Sequence, residues 1–409
     1  MATTLNKVPV MKPTPESATK STLRALIDKG VDAIDTPALV IDLDAMQRNI
    51  TRMAEFAKKH SIRWRPHAKM HKSVALAKLQ MQAGAVGVCV QKTAEAEVMV
   101  AGGVHNVYIS NEVIHPSKLA RVAAMAHQVA AVAGGQLAIA VDSIEGVARL
   151  AQAMNDARTR TGKSAVIHVF VEIDVGQRRC GVIPGAAAVT LALEIRKHPA
   201  LHFAGLQAYH GKAQHLRSAA QRREAIAIAV EDVLYTRKLI EAKGIKVDLV
   251  TGAGTGTLVR EAASGVYGEL QAGSFMFMDA DYAVNERDPA QPQFEHALFV
   301  KSQVISTSAT QAVCDAGHKC HAIDSGLPTV HNPEGEATLT YQNGGDEHGV
   351  LTPTDKQSYP PALDATVWLI PGHCDPTVNL HDHMIGVRGG LTLGTVERII
   401  RVDARGALT

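Results

Sequence analysis

The side chains able to do chemistry are concentrated in five short runs. The first is Arg65-Pro-His-Ala-Lys-Met-His-Lys72. Lys69 there could form a Schiff base. Such a lysine needs a lowered pKa, and His67, His71 and Lys72 would act on it as neighbouring cations. The same run also reads as a basic loop of solvated lysines. The second run is Thr251-Gly-Ala-Gly-Thr-Gly-Thr257. Its glycines, Gly252, Gly254 and Gly256, let the backbone approach an anion, and the N–H groups of the helix that follows point at it. The run has neither the Gly-Lys-Ser/Thr ending of a P-loop nor the spacing of a dinucleotide fingerprint, so a small phosphorylated cofactor suits it better than a nucleotide. A turn that needs glycine only for tight packing is the alternative.

The third run, Val171-Glu-Ile-Asp-Val-Gly-Gln-Arg-Arg-Cys-Gly181, gathers two acids and two arginines at the end of an apolar stretch. An arginine facing a pyridine nitrogen would keep that nitrogen unprotonated; scaffolding by ion pairs explains the run equally well. The fourth, Gln207-Ala-Tyr-His-Gly211 with His215 four residues on, offers hydrogen-bonding groups for cofactor and substrate. The fifth is Pro371-Gly-His-Cys-Asp-Pro376, continuing to Asp382. From an extended segment, His373 and Asp375 would project the same way and Cys374 the other. One imidazole and one carboxylate suit Mn²⁺, Mg²⁺ or Zn²⁺ with positions open to water and substrate. Two ligands alone also fit a polar turn.

The elements that must carry these runs alternate. Apolar β-rich segments such as Val86–Val90, Val107–Ser110, Leu137–Asp142, Val166–Asp174, Phe203–Tyr209, Val247–Val250 and Glu269–Phe275 are separated by helical stretches. Thr93 reads as the N-cap of a helix to Ala101, Pro116 as the first residue of another, and Gly244 as the stop of the longest, Arg217–Lys243. About eight such units in roughly 250 residues predict a closed (β/α)₈ TIM-type barrel over 36–288, with an open sheet as the alternative. Catalytic groups of such a barrel lie at the C-terminal ends of its strands, where four of the runs fall. After Asp288 the helical periodicity fades. Ala297–Ser306, Gln311–Ala316, Ala337–Gln342, Thr366–Ile370 and Met384–Arg388 read as strands of a β-domain comprising 289–409, with 1–35 packed on it.

With 409 residues, the chain is long enough for a barrel plus a second unit. A 46% hydrophobic content with only 4% aromatics calls for a core of Val, Leu, Ile and Ala. A net charge of +2 without a basic stripe argues against nucleic acid as a partner. Met1–Ser21 lacks the apolar core of a signal peptide, and Leu119–Val141, broken by polar residues, reads as helix plus strand and not as a membrane span. Five widely spaced cysteines without a CxxC pair fit free thiols in a cytoplasmic setting.

Taken together, the five runs resemble the D-threonine aldolase group of the alanine-racemase-type pyridoxal-phosphate enzymes, whose relatives include 3-hydroxy-D-aspartate aldolases and D-serine dehydratases. The resemblance extends from about Thr36 to Arg405. It implies an alanine racemase-like barrel plus β-domain paired as a homodimer, and a lyase that cleaves D-3-hydroxy amino acids to glycine and an aldehyde. It implies Lys69 as the cofactor lysine, Thr251, Gly252, Gly254, Thr255, Gly256 and Thr257 as the phosphate loop, and Arg179 at the pyridine nitrogen. Gln207 and Tyr209 fall beside the cofactor, His215 at the substrate hydroxyl, and His373 and Asp375 on a divalent metal, Mn²⁺ first. The dehydratases resemble one another in a cysteine two residues after the metal histidine. Asp375 stands there, which favours cleavage over dehydration by one residue. The alternatives are a 3-hydroxy-D-aspartate aldolase, a dehydratase of D-serine or D-3-hydroxyaspartate, or a non-catalytic pyridoxal-phosphate carrier.

Overall fold

The alternation of apolar strands and amphipathic helices is realised in a computed structural model that describes residues 23–409 except 334, 336 and 356. Strand β1 is Ala38–Asp42. Eight parallel strands follow: β2 (Arg63–Trp64), β3 (Val88–Val90), β4 (Asn106–Ile109), β5 (Gln136–Val141), β6 (Ile167–Glu172), β7 (Leu201–Ala208), β8 (Leu249–Gly252) and β9 (Glu269–Leu270). They pair in the order β2-β9-β8-β7-β6-β5-β4-β3. The ring closes between its ends: Val86 N–H donates to Trp64 O at 3.0 Å, Cys89 N–H to Pro66 O at 2.9 Å, and His67 bridges Cys89. The chain therefore folds as a (β/α)₈ barrel.

Alternation along the strands sorts the core. Val88, Val90, Val107, Ile109, Val169 and Val171 face the helices. Cys89, Tyr108, Ala138, Ala140, Phe170 and Ala204 face the lumen, where small residues leave room for the Tyr108 and Phe170 rings, 4.9 Å apart. Deeper polar groups are satisfied in series. Tyr108 OH donates to Gln207 Oε1 (3.0 Å), Gln271 Nε2 to Gln207 Oε1 (2.7 Å) and to Thr251 Oγ1 (2.8 Å), and Thr251 Oγ1 to Glu269 (3.1 Å). Glu269 in turn pairs with Arg65 and Arg63.

Local signals set the helix ends. Asp42 accepts from Asp44 and Ala45 N–H to start Leu43–Lys59, which buries Met46, Ile50, Met53 and Ala57 on one stripe. Pro116 opens its helix as predicted, and Gly244, at φ +71°, follows the long Ala219–Glu241 helix. Thr93 is not an N-cap. Lys92 holds that place, and Glu95 caps the turn instead by accepting from the Gln91 and Lys92 N–H groups. The stretch 119–141 is helix and then strand, and no described helix is long and apolar enough to cross a membrane.

The second sheet contains β10 (Leu298–Thr307), β11 (Ala312–Cys314), β12 (Thr329–Val330), β13 (Leu339–Asn343), β14 (Gly349–Pro353), β15 (Thr366–Ile370), β16 (His383–Arg388) and β17 (Thr395–Arg401). One expectation changes here. β1, read as the start of the barrel segment 36–288, lies in this sheet, antiparallel to β10 and parallel to β16. It then delivers the chain into the first barrel helix. Of 1–35, residues 1–22 lie outside the described residues. The rest packs on the sheet: Val31 and Ile34 bury against Val40, Ile385, Val387 and Val396.

Two positions yield predictions. At the β6/β7 bulge Gly205 has φ +142°, and a Cβ there would lie 1.8 Å from Leu249 O. Gly205→Ala is expected to cost about 3 kcal/mol in a denaturant titration, through clash and strain on the strand that carries Gln207. At the ends of β4 to β6, the buried Glu172 lies beside the half-buried Glu112, Asp142 and Cys180. Burial, then the neighbouring Glu112 carboxylate, push the Glu172 carboxyl up to about 9. The unfolded chain releases this proton near the ordinary value while the folded one keeps it, so this group's stabilisation is full at low pH and drains away as pH rises from there to about 9. Glu172→Gln should thus match the wild type near pH 4 and exceed it by about 2 kcal/mol at pH 9 in thermal melts.

Candidate active site

The mouth of the barrel, at the strand C-termini, holds a cavity of about 250 Å³. Lys69, Arg179, Gln207, Tyr209, His215, Gly254, Thr255, His373 and Asp375 all line it, so residues from all five runs meet there. Lys69 sits on the 3₁₀ turn Ala68–Met70 beyond β2, where the His67 Nδ1 accepts from the Lys69 N–H. Its Nζ lies 3.2 Å from Asp375 Oδ2.

This contact corrects the electrostatic expectation for Lys69. Its amine is held above the ordinary lysine value, with the Asp375 carboxylate as the largest cause. The supposed cations do not act as such. Burial holds His67 well below its ordinary value and takes His71 down to about 4, so both rings are neutral. His71 is structural, accepting from Ser73 N–H at Nδ1 and facing Gln80 Oε1 at Nε2. Lys72 turns away to Glu95, Asn379 and the Ala404 carbonyl, pinning the C-terminal segment to the barrel.

The glycine loop divides into residues that face the cavity and residues that shape the turn. Ala253, Gly254 and Thr255 line the cavity, and Ala253 adopts φ +68°. Among the described residues no protein acceptor takes the N–H groups of Gly254, Thr255 or Ser274, three amides on one cavity wall that fit a phosphate. Thr251 belongs instead to the lumen network, and Thr257 donates to Glu261 at 2.7 Å. Gly252 and Gly256 permit close approach: a Cβ would lie 2.4 Å from Ala208 O and 3.0 Å from Gln214 O, respectively. These four residues therefore do not line the cavity, because their side chains or contacts are spent inside the fold. Arg179, from the loop after β6, places its guanidinium 5.8 Å from the Tyr209 ring centroid.

His373 and Asp375 do not project from an extended segment. His373 is the N-cap of a short helix, Cys374–Asn379, and Asp375 lies in its first turn. Convergence comes from the bend: His373 Nε2 faces Asp375 Oδ1 across 3.9 Å. His373 Nδ1 donates to Asp324 Oδ2 at 2.7 Å, which leaves the Nε2 lone pair for a ligand. Asp375 Oδ1 is buried with no hydrogen-bond partner. A bare carboxylate oxygen facing a bare imidazole nitrogen across such a gap fits a divalent cation, and the donor set suits Mn²⁺, Mg²⁺ or Zn²⁺. Cys374 points away as expected, with its Sγ on Met278 O and its thiol pushed up by burial.

His215 ends the 3₁₀ turn Gly211–His215 after β7. Its Nδ1 meets Asp281 Oδ2 at 2.7 Å, and Asp281 is fixed by Arg217. The imidazole thereby presents Nε2 to the cavity. Asp281, Tyr282, Gln271, Gly273 and Ser274 are site residues that the sequence reading did not single out. Asp281 and Tyr282 lie on the four-residue helix Ala280–Ala283, too short for any periodic signal, whereas Gly273-Ser274 fell inside a run read as strand.

The chain is similar to known proteins over nearly its whole length. The alanine racemase N-terminal domain family matches residues 41–281, and a putative serine dehydratase domain matches residues 297–387. The chain is 42% identical to a D-threonine aldolase of Arthrobacter sp over 91% of its length and 93% of that protein's. It is 41% identical to a 3-hydroxy-D-aspartate aldolase of Paracoccus denitrificans over 91% of its length and 92% of that protein's. The crystal structure of D-threonine aldolase from Filomicrobium marinum superposes with a TM-score of 0.87 at 44% identity, covering 94% of this chain and 99% of that one. This chain belongs to the D-threonine aldolase and 3-hydroxy-D-aspartate aldolase group of alanine-racemase-type pyridoxal-phosphate enzymes, and it is a carbon–carbon lyase.

Proposed function

We propose that this chain cleaves D-3-hydroxy amino acids of the D-threonine type to glycine and an aldehyde, with pyridoxal phosphate and a divalent metal. The observation that carries the reading is the unpartnered Asp375 Oδ1 facing His373 Nε2 beside the Lys69 amine. Pyridoxal phosphate, when bound, supplies the electron sink for the charge left at Cα. A divalent metal held by His373 and Asp375 would supply a Lewis acid.

The residues divide this work. Lys69 provides the amine that holds the cofactor, and the Gly254, Thr255 and Ser274 N–H groups hold its phosphate. Arg179, beside Tyr209, would face the cofactor ring nitrogen and hold it unprotonated, which would weaken the sink and limit side reactions. His373 and Asp375 bind the metal. His215 accepts the hydroxyl proton at Nε2, while Asp281 at Nδ1 stabilises the imidazolium that results. Manganese, a homodimer and a cytoplasmic setting belong to the same reading. A non-catalytic cofactor carrier would have no use for the His215–Asp281 pair or the gap at Asp375.

Dehydration, a carbon–oxygen cleavage, is the outcome this reading excludes, although a serine dehydratase domain match spans His373 and Asp375. Incubation with D-threonine, D-3-hydroxyaspartate and D-serine separates the two. Glycine plus an aldehyde, abolished by a chelator and restored by Mn²⁺, is expected; ammonia and a keto acid without glycine would establish a dehydratase. Lys69→Ala should lose the visible cofactor band. Asp375→Ala should keep the band and lose at least ~10³-fold in glycine release, and full activity without added metal would remove the metal from the account. His215→Asn should lower kcat by about 10²–10⁴-fold. Asp281→Asn, acting through His215, should cost about 10–100-fold; equal rates for this variant and the wild type would discard the pair.

A further inference from the structure

Lys69, Arg179 and Lys212 are the lysine and arginine residues that line the cavity. Under the function proposed above, Lys69 and Arg179 are both committed to the cofactor. Lys212 is not. Among the described residues no carboxylate lies within ion-pairing distance of its ammonium, and its side chain is exposed toward the cavity opening. Its backbone is firmly placed: the Lys212 N–H donates to Gln177 Oε1 at 2.6 Å. Gly211, just before it, packs so closely that a Cβ would lie 2.5 Å from the same oxygen. An unpaired cation on a braced turn at the edge of a substrate cavity is poised for an anion.

Its position says which end of the substrate that anion occupies. Lys212 and His215 lie three residues apart on the 3₁₀ turn Gly211–His215. Residues i and i+3 of a 3₁₀ turn eclipse one another, so the two side chains leave the turn on the same side. His215 works at the hydroxyl on Cβ. The cation thus stands on the His215 side of the cavity, the side on which the groups carried by Cβ would lie.

We infer that Lys212 is a specificity-determining residue that selects substrates whose Cβ substituent is anionic, namely D-3-hydroxy amino acids with a second carboxylate. The inference rests on the aldolase part of the proposed reading and shifts its preferred substrate from the D-threonine type to the dicarboxylate. It is tested with Lys212→Met and Lys212→Arg in the holoenzyme. kcat/KM is measured for D-3-hydroxyaspartate and D-threonine, at low and high salt. For the methionine variant, the ratio of the two kcat/KM values should fall by about tenfold or more, mainly through KM for the dicarboxylate, and arginine should restore most of it. The wild-type ratio should also fall with salt, and that of the methionine variant should not. A binding readout runs beside it. D-aspartate, which lacks the hydroxyl, should shift the cofactor spectrum at lower concentration than D-2-aminobutyrate in the wild type but not in Lys212→Met. An unchanged ratio, or equal losses on both substrates, overturns the assignment while leaving the aldolase standing. If the wild type releases glycine from neither substrate, the reading beneath it fails first.

Discussion

The site depends on one contact across the fold: the Asp375 carboxylate, delivered by the β-sheet unit, meets the Lys69 ammonium, delivered by the barrel, at 3.2 Å. Neither unit alone holds both groups. The barrel supplies an amine, an anion-binding loop and an imidazole at its strand ends. The short helix after β15 supplies the second imidazole and the carboxylate. Much of the remaining structure holds these two pieces in register. β1 belongs to the sheet yet feeds directly into the first barrel helix. Lys72 ties the barrel to Asn379, at the end of the Cys374–Asn379 helix, and to the C-terminal segment. Asp279, beside the barrel's last strand, accepts from the Cys374 N–H at 3.1 Å, fixing that helix from below.

The carboxylate also explains why the lysine environment departs from simple expectation. A cluster of basic residues suggests mutual repulsion and a depressed amine. Burial instead removes the charge from His67 and His71, and Asp375 stabilises the charge on Lys69. Asp375 has two oxygens with two tasks: Oδ2 faces the amine, and Oδ1 is left bare toward His373. A cation bound between Oδ1 and His373 Nε2 would offset the carboxylate that now holds the amine charged. A metal at that place and the lysine would thus be coupled through one side chain.

Much of this was legible in the chain itself. The barrel strands stand out because apolar β-rich runs and helical periodicity alternate, and the C-terminal ends of those strands locate Lys69, Arg179, Tyr209, His215 and the glycine loop. Resemblance to a known group supplied the roles that residue type left open, such as that of Arg179. Other features left no trace. A strand does not announce its sheet, so β1 reads as part of the barrel segment although it pairs with β10 and β16. β12 has only two residues, β14 ends in a proline, and β17 carries Glu397, Arg398 and Arg401 among its apolar positions, so none reads as a clean strand. The approach of His373 to Asp375 arises from a helix start and not from strand alternation, although both give neighbouring side chains. Thr251 and Thr257 look like cavity residues in sequence, yet the lumen network and Glu261 claim their hydroxyls.

The central claim is that Asp375 Oδ1 and His373 Nε2 frame a divalent cation next to a lysine-held cofactor. The most direct test is a Mn²⁺ titration followed by electron paramagnetic resonance, on the wild type, Asp375→Asn and His373→Ala, with the cofactor absorbance recorded on each. The account predicts one tight Mn²⁺ per wild-type chain, affinity lost by at least ~10-fold in both variants, and cofactor absorbance retained in all three. Equal Mn²⁺ affinity in the wild type and the variants would contradict it, placing the metal elsewhere and leaving the bare oxygen of Asp375 without a role.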